Sequence, residues 1–561
     1  MSFMPVSLRS LILFTLLFGS LFANEETIKD LAEHPPQGEA QSVVAEANDE
    51  SEAIEEPGAL AKFNSALVGI IFLDVTGGSI QIAEEKDGVQ ILDEAGQPKN
   101  KTVKIPLIVV ILSLGSIFFT FWYRFINIRM FKHGLDVVRG KYDNPNNKGE
   151  ISHFRALTSA LSATVGLGNI AGVAVAIQQG GPGAVFWMIC MAVFGMTAKF
   201  SSCTLSQLYR KTNPNGTISG GPMYYLDLGL KDLNLGLIGK ILGILYAVML
   251  MGGAVGGGNM FQVNQTAEAF RVTFDLPARA DLAVGIMMLV VVGMVIVGGV
   301  RRIGSATSKI IPFMCGTYVL ASVMIILFNI DQVPSSLALI FNMAFSENAI
   351  FGGAMGVLVT GVTRAAFSNE AGLGSAAVVH AAAKTDEPVR EGVVAMLGPF
   401  IDTIVICTMT ALVVIVTGAY QSSDAIAQTG YANGGVALTM IAFKSVASWL
   451  PYVLTISIAL FAYSTMISWC YYGERGWIYL LDHFGEGKGL QTVMVFRLIF
   501  LAFILVGALN SLDDVLLFSD LMILSLAFPN ILGSIILAPK VLRMLKDYRA
   551  RLSNGEMKRY N

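Results

Sequence analysis

The chain reads as an all-α integral membrane protein of about eleven transmembrane helices: one leading helix, then ten in two halves of five. Three observations carry this reading. Hydrophobic residues make up 54% of the 561 positions and charged residues 14%, against roughly 25% charged in soluble domains, and mean hydropathy is +0.61. Apolar runs near the ~20 residues needed to cross a bilayer recur from residue 105 onward. Loops rich in Lys and Arg alternate with loops that have none, as the positive-inside bias requires.

The amino-terminal elements come first. Residues 1–23 set Arg9 before an apolar run, Leu11–Phe18, and end near Ala23, the pattern of a secretory signal peptide. Leu21 at the −3 position leaves an uncleaved anchor as the alternative. Residues 24–58 hold eleven acidic side chains and one Lys in a chain of net charge −3. They read as an exported disordered segment with too little apolar surface to order itself. Residues 59–104 read as a small exported segment. Phe63–Val75 is too short to span, and alternation of Ile80, Ile82, Val89 and Ile91 around Glu84–Gly88 predicts a β-hairpin.

Spanning runs follow at 105–125, 155–179, 183–208, 238–269, 280–299, 309–330, 352–381, 393–418, 447–472, 491–509 and 515–538. Basic residues gather after the first run (Arg124 to Lys148), at Arg210 and Lys211, at Arg301 and Arg302, at Lys384 and Arg390, and beyond Ala538. The interludes 331–348, 419–435 and 510–514 contain none; Arg271 and Arg279 are the exception. The leading helix is therefore expected to run inward, with an exported amino terminus and a cytoplasmic basic tail at 541–561. Residues 105–540 form the membrane domain, with repeats over about 150–330 and 350–540. The five cysteines all lie in apolar segments and read as small buried hydrophobes.

Polar chemistry at membrane depth falls in four places. Ser162–Asn169 carries Gly166 and Gly168 around Leu167, and Ser368–Ser375 repeats the pattern 206 residues later, with identity at Ser162/Ser368, Gly166/Gly372, Leu167/Leu373, Gly168/Gly374 and Ala171/Ala377. Glycines weaken a helix interior by about 1 kcal/mol each relative to Ala. A bilayer tolerates the exposed backbone only where it lines a cavity or meets a ligand. A packing face of small residues is the alternative. With the leading helix set aside, the two motifs fall in the first and sixth of ten helices. Halves of five helices are inverted relative to each other, and paired breaks in such halves point to a transporter binding site. The free N–H ends suit a carboxylate, and the free carbonyls suit an ammonium group or Na⁺.

The third place is a polar stripe, Asn259, Gln262 and Thr266, whose amides can serve a carboxylate and an amine or bond between helices. The fourth is Ser464-Thr465, a hydroxyl pair that suits a hard cation or a structural bond to backbone. Arg364, Glu370 and Asp402 are ionisable at membrane depth and functional candidates by default. Glu370 and Asp402 are coupling candidates, and a structural ion pair is the competing account for Arg364. No ATP-binding loop appears. The histidines (His34, His133, His153, His380, His483) are scattered, which speaks against an enzyme. Proton coupling through Glu370 or Asp402, and a membrane amino-acid sensor, remain as rival readings.

Ala163-Thr-Val-Gly-Leu-Gly-Asn-Ile-Ala-Gly-Val173, Gly180-Gly-Pro-Gly183, Gly220-Gly-Pro-Met-Tyr-Tyr225 and Phe367-Ser-Asn-Glu-Ala-Gly-Leu-Gly-Ser-Ala376 resemble the alanine or glycine:cation symporter family, also called sodium:alanine symporters. The resemblance covers roughly 105–540. It implies a five-plus-five core like that of the bacterial leucine transporter, with Na⁺-coupled uptake of alanine or glycine. It implies that Ala163 and Thr164 carbonyls, with Phe367 and Ser368, face the substrate amine, and that Leu167 and Gly168 N–H groups meet its carboxylate; Asn259, Gln262 and Gly372 complete the expected site. A sodium site would use Ser162 and Val165 carbonyls with Ala462, Ser464 and Thr465. A second would need Thr164, Asn169 and Ser368. The implied partners are a small amino acid, Na⁺ as co-transported ion and the lipid bilayer, with no organic cofactor and no nucleic acid; the chain is read as a monomer in the inner membrane of a bacterium.

Overall fold

The computed structural model describes residues 58–560 except 79–80, 84, 87–88, 91–99, 103, 145, 214–215, 297–298, 346–352 and 422–434. The signal-peptide segment, and the acidic segment up to residue 57, lie outside the described residues. The chain divides into two units, Met1–Gly69 and Ile70–Asn561. An apolar helix, α1 (Ala59–Ile71), holds the described residues of the first unit.

The second unit opens on a short β-ribbon. Strand β1 (Gln81–Ala83) pairs antiparallel with β4 (Asn100–Thr102), Gln81 opposite Thr102. Inside that pair, β2 (Glu85–Lys86) meets β3 (Val89–Gln90). Asp74 ties the ribbon's two ends together. Its carboxylate accepts from the Thr76 amide (3.0 Å) and hydroxyl (2.7 Å), the Gly78 amide (2.8 Å) and the Ile105 amide (3.0 Å).

Helices fill the remainder, apart from a short antiparallel ribbon that pairs Lys211–Thr212 with Ile218–Ser219. After α2 (Leu107–Trp122) and an amphipathic turn at Phe131–Val138, α3 (His153–Thr164) starts where Ser152 Oγ accepts from the Arg155 amide at 3.3 Å. A 3-10 turn, Leu167–Asn169, leads into α4 (Ala171–Gly180), and the bent pair turns by 61°. Next are α5 (Ala184–Leu208), α6 (Pro222–Lys231) and α7 (Gly236–Val255), which continues through a π turn at Gly256–Met260 into α8 (Phe261–Phe274). Helices α9 (Ala280–Ile296), α10 (Gly299–Phe328) and α11 (Val333–Ala344) complete the first half.

The second half begins with α12 (Gly353–Asn369), a break, and one turn of helix, α13 (Ala377–His380). Then α14 (Pro388–Ala395) passes through a π-helical stretch, Phe400–Cys407, into α15 (Thr408–Val416). Helices α16 (Gly435–Lys444), α17 (Leu450–Asp482), α18 (Lys488–Leu509), α19 (Leu512–Ser525) and α20 (Ala527–Ser553) follow. Proline starts α6, α14 and α17, where its missing N–H costs nothing. Helix α17, buried along most of its 33 residues, packs against α3, α7, α8, α10 and α18. Glu474 on α17 binds the Arg497 guanidinium of α18 at 2.6 and 3.1 Å.

Each of the eleven apolar runs contains helix. Among the described residues, however, seven stretches are long and apolar enough to cross a bilayer, and eight when the bent pair counts as one. The shortfall has a physical reason. Helix α2 has 16 residues, the described part of α9 has 17, and the run 352–381 is cut by the second break at Glu370. Helix α11 lies within the polar interlude 331–348, and α16 lies between the interlude 419–435 and the run 447–472.

The hydrogen bonds of Thr76 hold the Asp74 carboxyl down at about 2. A depressed carboxylate supports structure above its free value near 3.9, and that support is lost as pH falls through about 2. The junction should therefore stay protected at pH 4, whereas Asp74→Ala should speed exchange of the Thr76, Gly78 and Ile105 amides at neutral pH, read by hydrogen–deuterium exchange.

Candidate functional site

The first break begins where α3 ends at Thr164 and the chain turns extended at Gly166. Only glycine fits there, because a Cβ would overlap Thr465 Oγ1 and come within 3.2 Å of Gln262 Oε1. The freed backbone groups find side-chain partners. The Gly166 amide donates to Asn169 Oδ1 at 2.9 Å and the Leu167 amide to Gln262 Oε1 at 3.2 Å. The Ser162 carbonyl accepts from Thr465 Oγ1 at 3.0 Å and the Ala163 carbonyl from Trp469 Nε1 at 3.2 Å. Ser162 Oγ donates to the Ser464 carbonyl at 2.8 Å. Val165 and Ala462 are fully buried, and Thr164 Oγ1 makes only a long local bond, 3.5 Å, to the Leu161 carbonyl.

The second break begins at Glu370, whose φ of +56° is unusual for a residue with a side chain, and continues through Gly372 at φ +84°. Asn369 bonds Thr403 Oγ1 at 2.9 Å and accepts the Ala371 amide at 2.9 Å. Lys199 Nζ donates to the Asn369 carbonyl at 3.0 Å, Asn530 Nδ2 to the Gly372 carbonyl at 2.6 Å, and Tyr246 to the Leu373 carbonyl at 3.0 Å. Ser375 Oγ donates to Glu370 Oε2.

Asp402, buried in the π-helical stretch, joins the two breaks. Oδ1 accepts from Asn169 Nδ2 of the first at 2.7 Å, and Oδ2 accepts from Ser368 Oγ of the second at 2.8 Å. Thr403 Oγ1 adds a third donor at 2.8 Å, and Cys407 Sγ lies 3.3 Å from Asn169 Nδ2 and 3.2 Å from Ser368 Oγ. Gly168 faces the same junction, where a Cβ on it would stand 3.4 Å from Ser368 Cα and 3.5 Å from the Phe367 ring. That ring packs edge-on against Phe261, with centroids 5.2 Å apart.

Most of the sequence-predicted residues therefore come together, and Asn259 does not. Its Nδ2 donates to the Phe500 carbonyl of α18 at 2.5 Å, an interhelical bond. The π turn over Gly256–Met260 inserts an extra residue, so Asn259 loses the face it would share with Gln262 in a regular α-helix. Thr266 bonds the Gln262 carbonyl at 2.7 Å, within its own helix. Gln262 itself bridges two irregularities, donating to the Gly257 carbonyl at 2.8 Å while accepting from Leu167. Arg364 takes the structural alternative. It pairs with buried Asp520 of α19, with its guanidinium carbon 5.5 Å from the Phe367 centroid.

Lys199, Tyr246, Trp469, Asp520 and Asn530 support the site and were not picked out from the sequence. Lys199 and Asp520 did carry a signal, as ionisable residues within apolar runs.

An α-helical membrane domain in which two interrupted helices meet around buried polar groups belongs to the class of secondary transporters. Residues 89–561 match the model of the sodium:alanine symporter family, and the chain belongs to that family of sodium-coupled amino-acid symporters. It is 39% identical to the sodium/alanine symporter AgcS of Methanococcus maripaludis over 80% of this chain and 95% of that one. It is 35% identical to the "Probable sodium/glutamine symporter GlnT" of Bacillus subtilis over 80% of this chain and 89% of that one. Its backbone overlays that of MhsT in complex with L-phenylalanine with a TM-score of 0.48, at 13% identity, over 70% of this chain and 99% of that one.

Removing one member of a buried ion pair strands the other, at a cost of about 3–5 kcal/mol, whereas apolar replacement of both is often near neutral. Arg364→Met alone should thus lower the unfolding temperature of the detergent-purified protein clearly. Arg364→Met with Asp520→Leu should recover most of the loss.

Proposed function

We propose that this chain carries a small neutral amino acid, alanine or glycine, into the cell together with Na⁺, by alternating access across a five-plus-five inverted repeat. The observation that carries the reading is the junction of the two breaks at Asp402. In this reading the Ala163 and Thr164 carbonyls, with Phe367 and Ser368, meet the substrate ammonium, and the Gly168 amide and the Leu167 amide, once released from Gln262 Oε1, meet its carboxylate. Gln262 and Gly372 shape the walls. Similarity to a relative named for alanine supports a small side chain.

One Na⁺ would take the Ser162 and Val165 carbonyls with Ala462, Ser464 and Thr465, replacing the Thr465–Ser162 hydrogen bond. A second would sit among Thr164, Asn169 and Ser368, with Asp402 supplying a formal charge that the sequence reading lacked there. Among the described residues the hydrogen bonds Asp402 accepts come from neutral donors, while the Lys199 ammonium bonds the Asn369 carbonyl, so a cation would add the direct charged contact that a buried carboxylate favours. The Lys and Arg bias supports an exported amino terminus and a cytoplasmic carboxyl terminus. One charge moving through about 100 mV supplies about 2.3 kcal/mol. A tenfold Na⁺ gradient adds about 1.4 kcal/mol, together worth roughly several hundred-fold accumulation.

The test is labelled alanine uptake into proteoliposomes under an inward Na⁺ gradient, an equal K⁺ gradient, or a pH gradient. Accumulation with Na⁺ alone is the expected result. Uptake indifferent to Na⁺ but driven by pH would overturn sodium coupling in favour of Glu370 or Asp402 as proton carriers, and binding without flux would favour a sensor. Asp402→Asn should raise the half-saturating Na⁺ concentration by about tenfold or more, the equivalent of one charge-assisted contact. Gly168→Leu should insert normally and lose alanine binding.

A further inference from the structure

His153, the first residue of α3, and His380, the last of α13, both turn their Nδ1 atoms onto one carboxylate, Glu391 of α14. His380 Nδ1 lies 2.5 Å from Oε1, and His153 Nδ1 bonds Oε2. All three side chains are buried. Neither Nε2 atom has a hydrogen-bond partner among the described residues, nor has Asp143 Oδ1, which lies 3.9 Å from His153 Nε2.

The main chain closes the same seam. Ile151 and Ala383 form a parallel bridge; the Glu150 amide donates to the Ala382 carbonyl, and the Lys384 amide to the Ile151 carbonyl, each at 2.8 Å. The Arg210 guanidinium donates to the carbonyls of Lys148, Ala381, Ala383 and Thr385 at 2.7–3.0 Å. The segment entering the first broken helix is thus laced to the segment leaving the second.

We propose that Glu391, His153 and His380 form a proton-sensitive latch that fastens the feet of both broken helices and so controls opening of the gate on the side of the carboxyl terminus. The proposal rests on the alternating-access reading. An ionised carboxylate only accepts, so each imidazole keeps a proton on Nδ1 and leaves Nε2 as the basic nitrogen. A proton arriving at His153 Nε2 makes an imidazolium between Glu391 and Asp143. It converts an unpartnered buried nitrogen into a donor facing an unpartnered oxygen. Acid therefore tightens the latch, and alkali leaves a carboxylate between two neutral rings.

Other titratable groups around Glu391 are otherwise engaged. Arg210 serves the four carbonyls. Arg390, next along the helix, bonds the Tyr142 carbonyl and the Tyr548 hydroxyl, which His133 of Phe131–Val138 also bonds. Lys199 of α5 holds Asn369, and Cys203 is buried in the same helix.

The test uses the full chain in proteoliposomes with the same pH on both sides, reading Na⁺-driven alanine uptake and hydrogen exchange of peptides covering 149–152 and 381–385. Wild-type initial rate should fall about tenfold as the pH is lowered from mildly alkaline to mildly acid. His153→Gln should flatten that fall. Asp143→Asn, at a 40% exposed side chain and so a mild change, should keep the alkaline rate and move the fall to lower pH. At each pH the wild type should also protect both peptides more than His153→Gln does, most of all in acid; comparison at equal pH cancels intrinsic exchange. A flat wild-type profile, or both variants keeping the wild-type profile, overturns the latch. Absence of alanine uptake at every pH sinks the substrate reading instead. The latch then stands on greater wild-type protection in acid and falls on equal protection.

Discussion

Interrupting a helix inside a bilayer strips backbone N–H and C=O groups of their partners where no water can replace them, and this constraint organises the molecule. Each buried orphan costs about 1–3 kcal/mol, so two breaks are sustainable only if other helices supply donors and acceptors. They do. Gln262, Thr465 and Trp469 serve the first break, and Lys199, Tyr246 and Asn530 serve the second. Asp402 serves both, since Asn169 and Ser368 meet on its two oxygens.

The two π-helical stretches follow from the same demand. Gly256–Met260 lies in the helix that carries Gln262, and Phe400–Cys407 carries Asp402. A π turn widens the helix by one residue and re-aims side chains beside it. It frees the Gly257 carbonyl for the Gln262 amide and delivers Asp402 to the junction. Regular α-helices in these places would put different faces toward the breaks.

This also explains what was legible in the sequence. The breaks were, because glycine within an apolar run is a local signal, and so were the spanning runs. The i, i+3, i+7 rule sets Asn259 and Gln262 on one stripe, yet Gln262 meets Leu167 of the first break while Asn259 bonds Phe500, since that rule assumes 3.6 residues per turn on both sides of Gly256–Met260. Asp402 stands out in the sequence as a candidate from its depth alone, yet its place as the bridge is hidden because its partners lie 233 and 34 residues away. A structural pair for Arg364 is one of the two accounts the sequence offers, but Asp520 as its partner, 156 residues away, is hidden for the same reason.

Under the proposed transport cycle, the junction and the latch act on the same rigid elements from different ends. Helix α3 has twelve residues and so spans about 18 Å from His153 to the first break. A small rotation about Asp402 must displace its foot and strain the His153–Glu391–His380 contacts. A cation that binds the junction differently in the two states shifts their populations only by that difference in affinity. The latch must therefore be weak enough for the ion and substrate to overcome. A single carboxylate shared by two neutral imidazoles meets that requirement better than a full ion pair, because its rupture separates one buried charge from neutral donors and the ion pair's rupture strands two. Added protons raise that cost by turning the shared contact into an ion pair, so the balance between ion-driven opening and proton-held closure is set at Glu391 and His153.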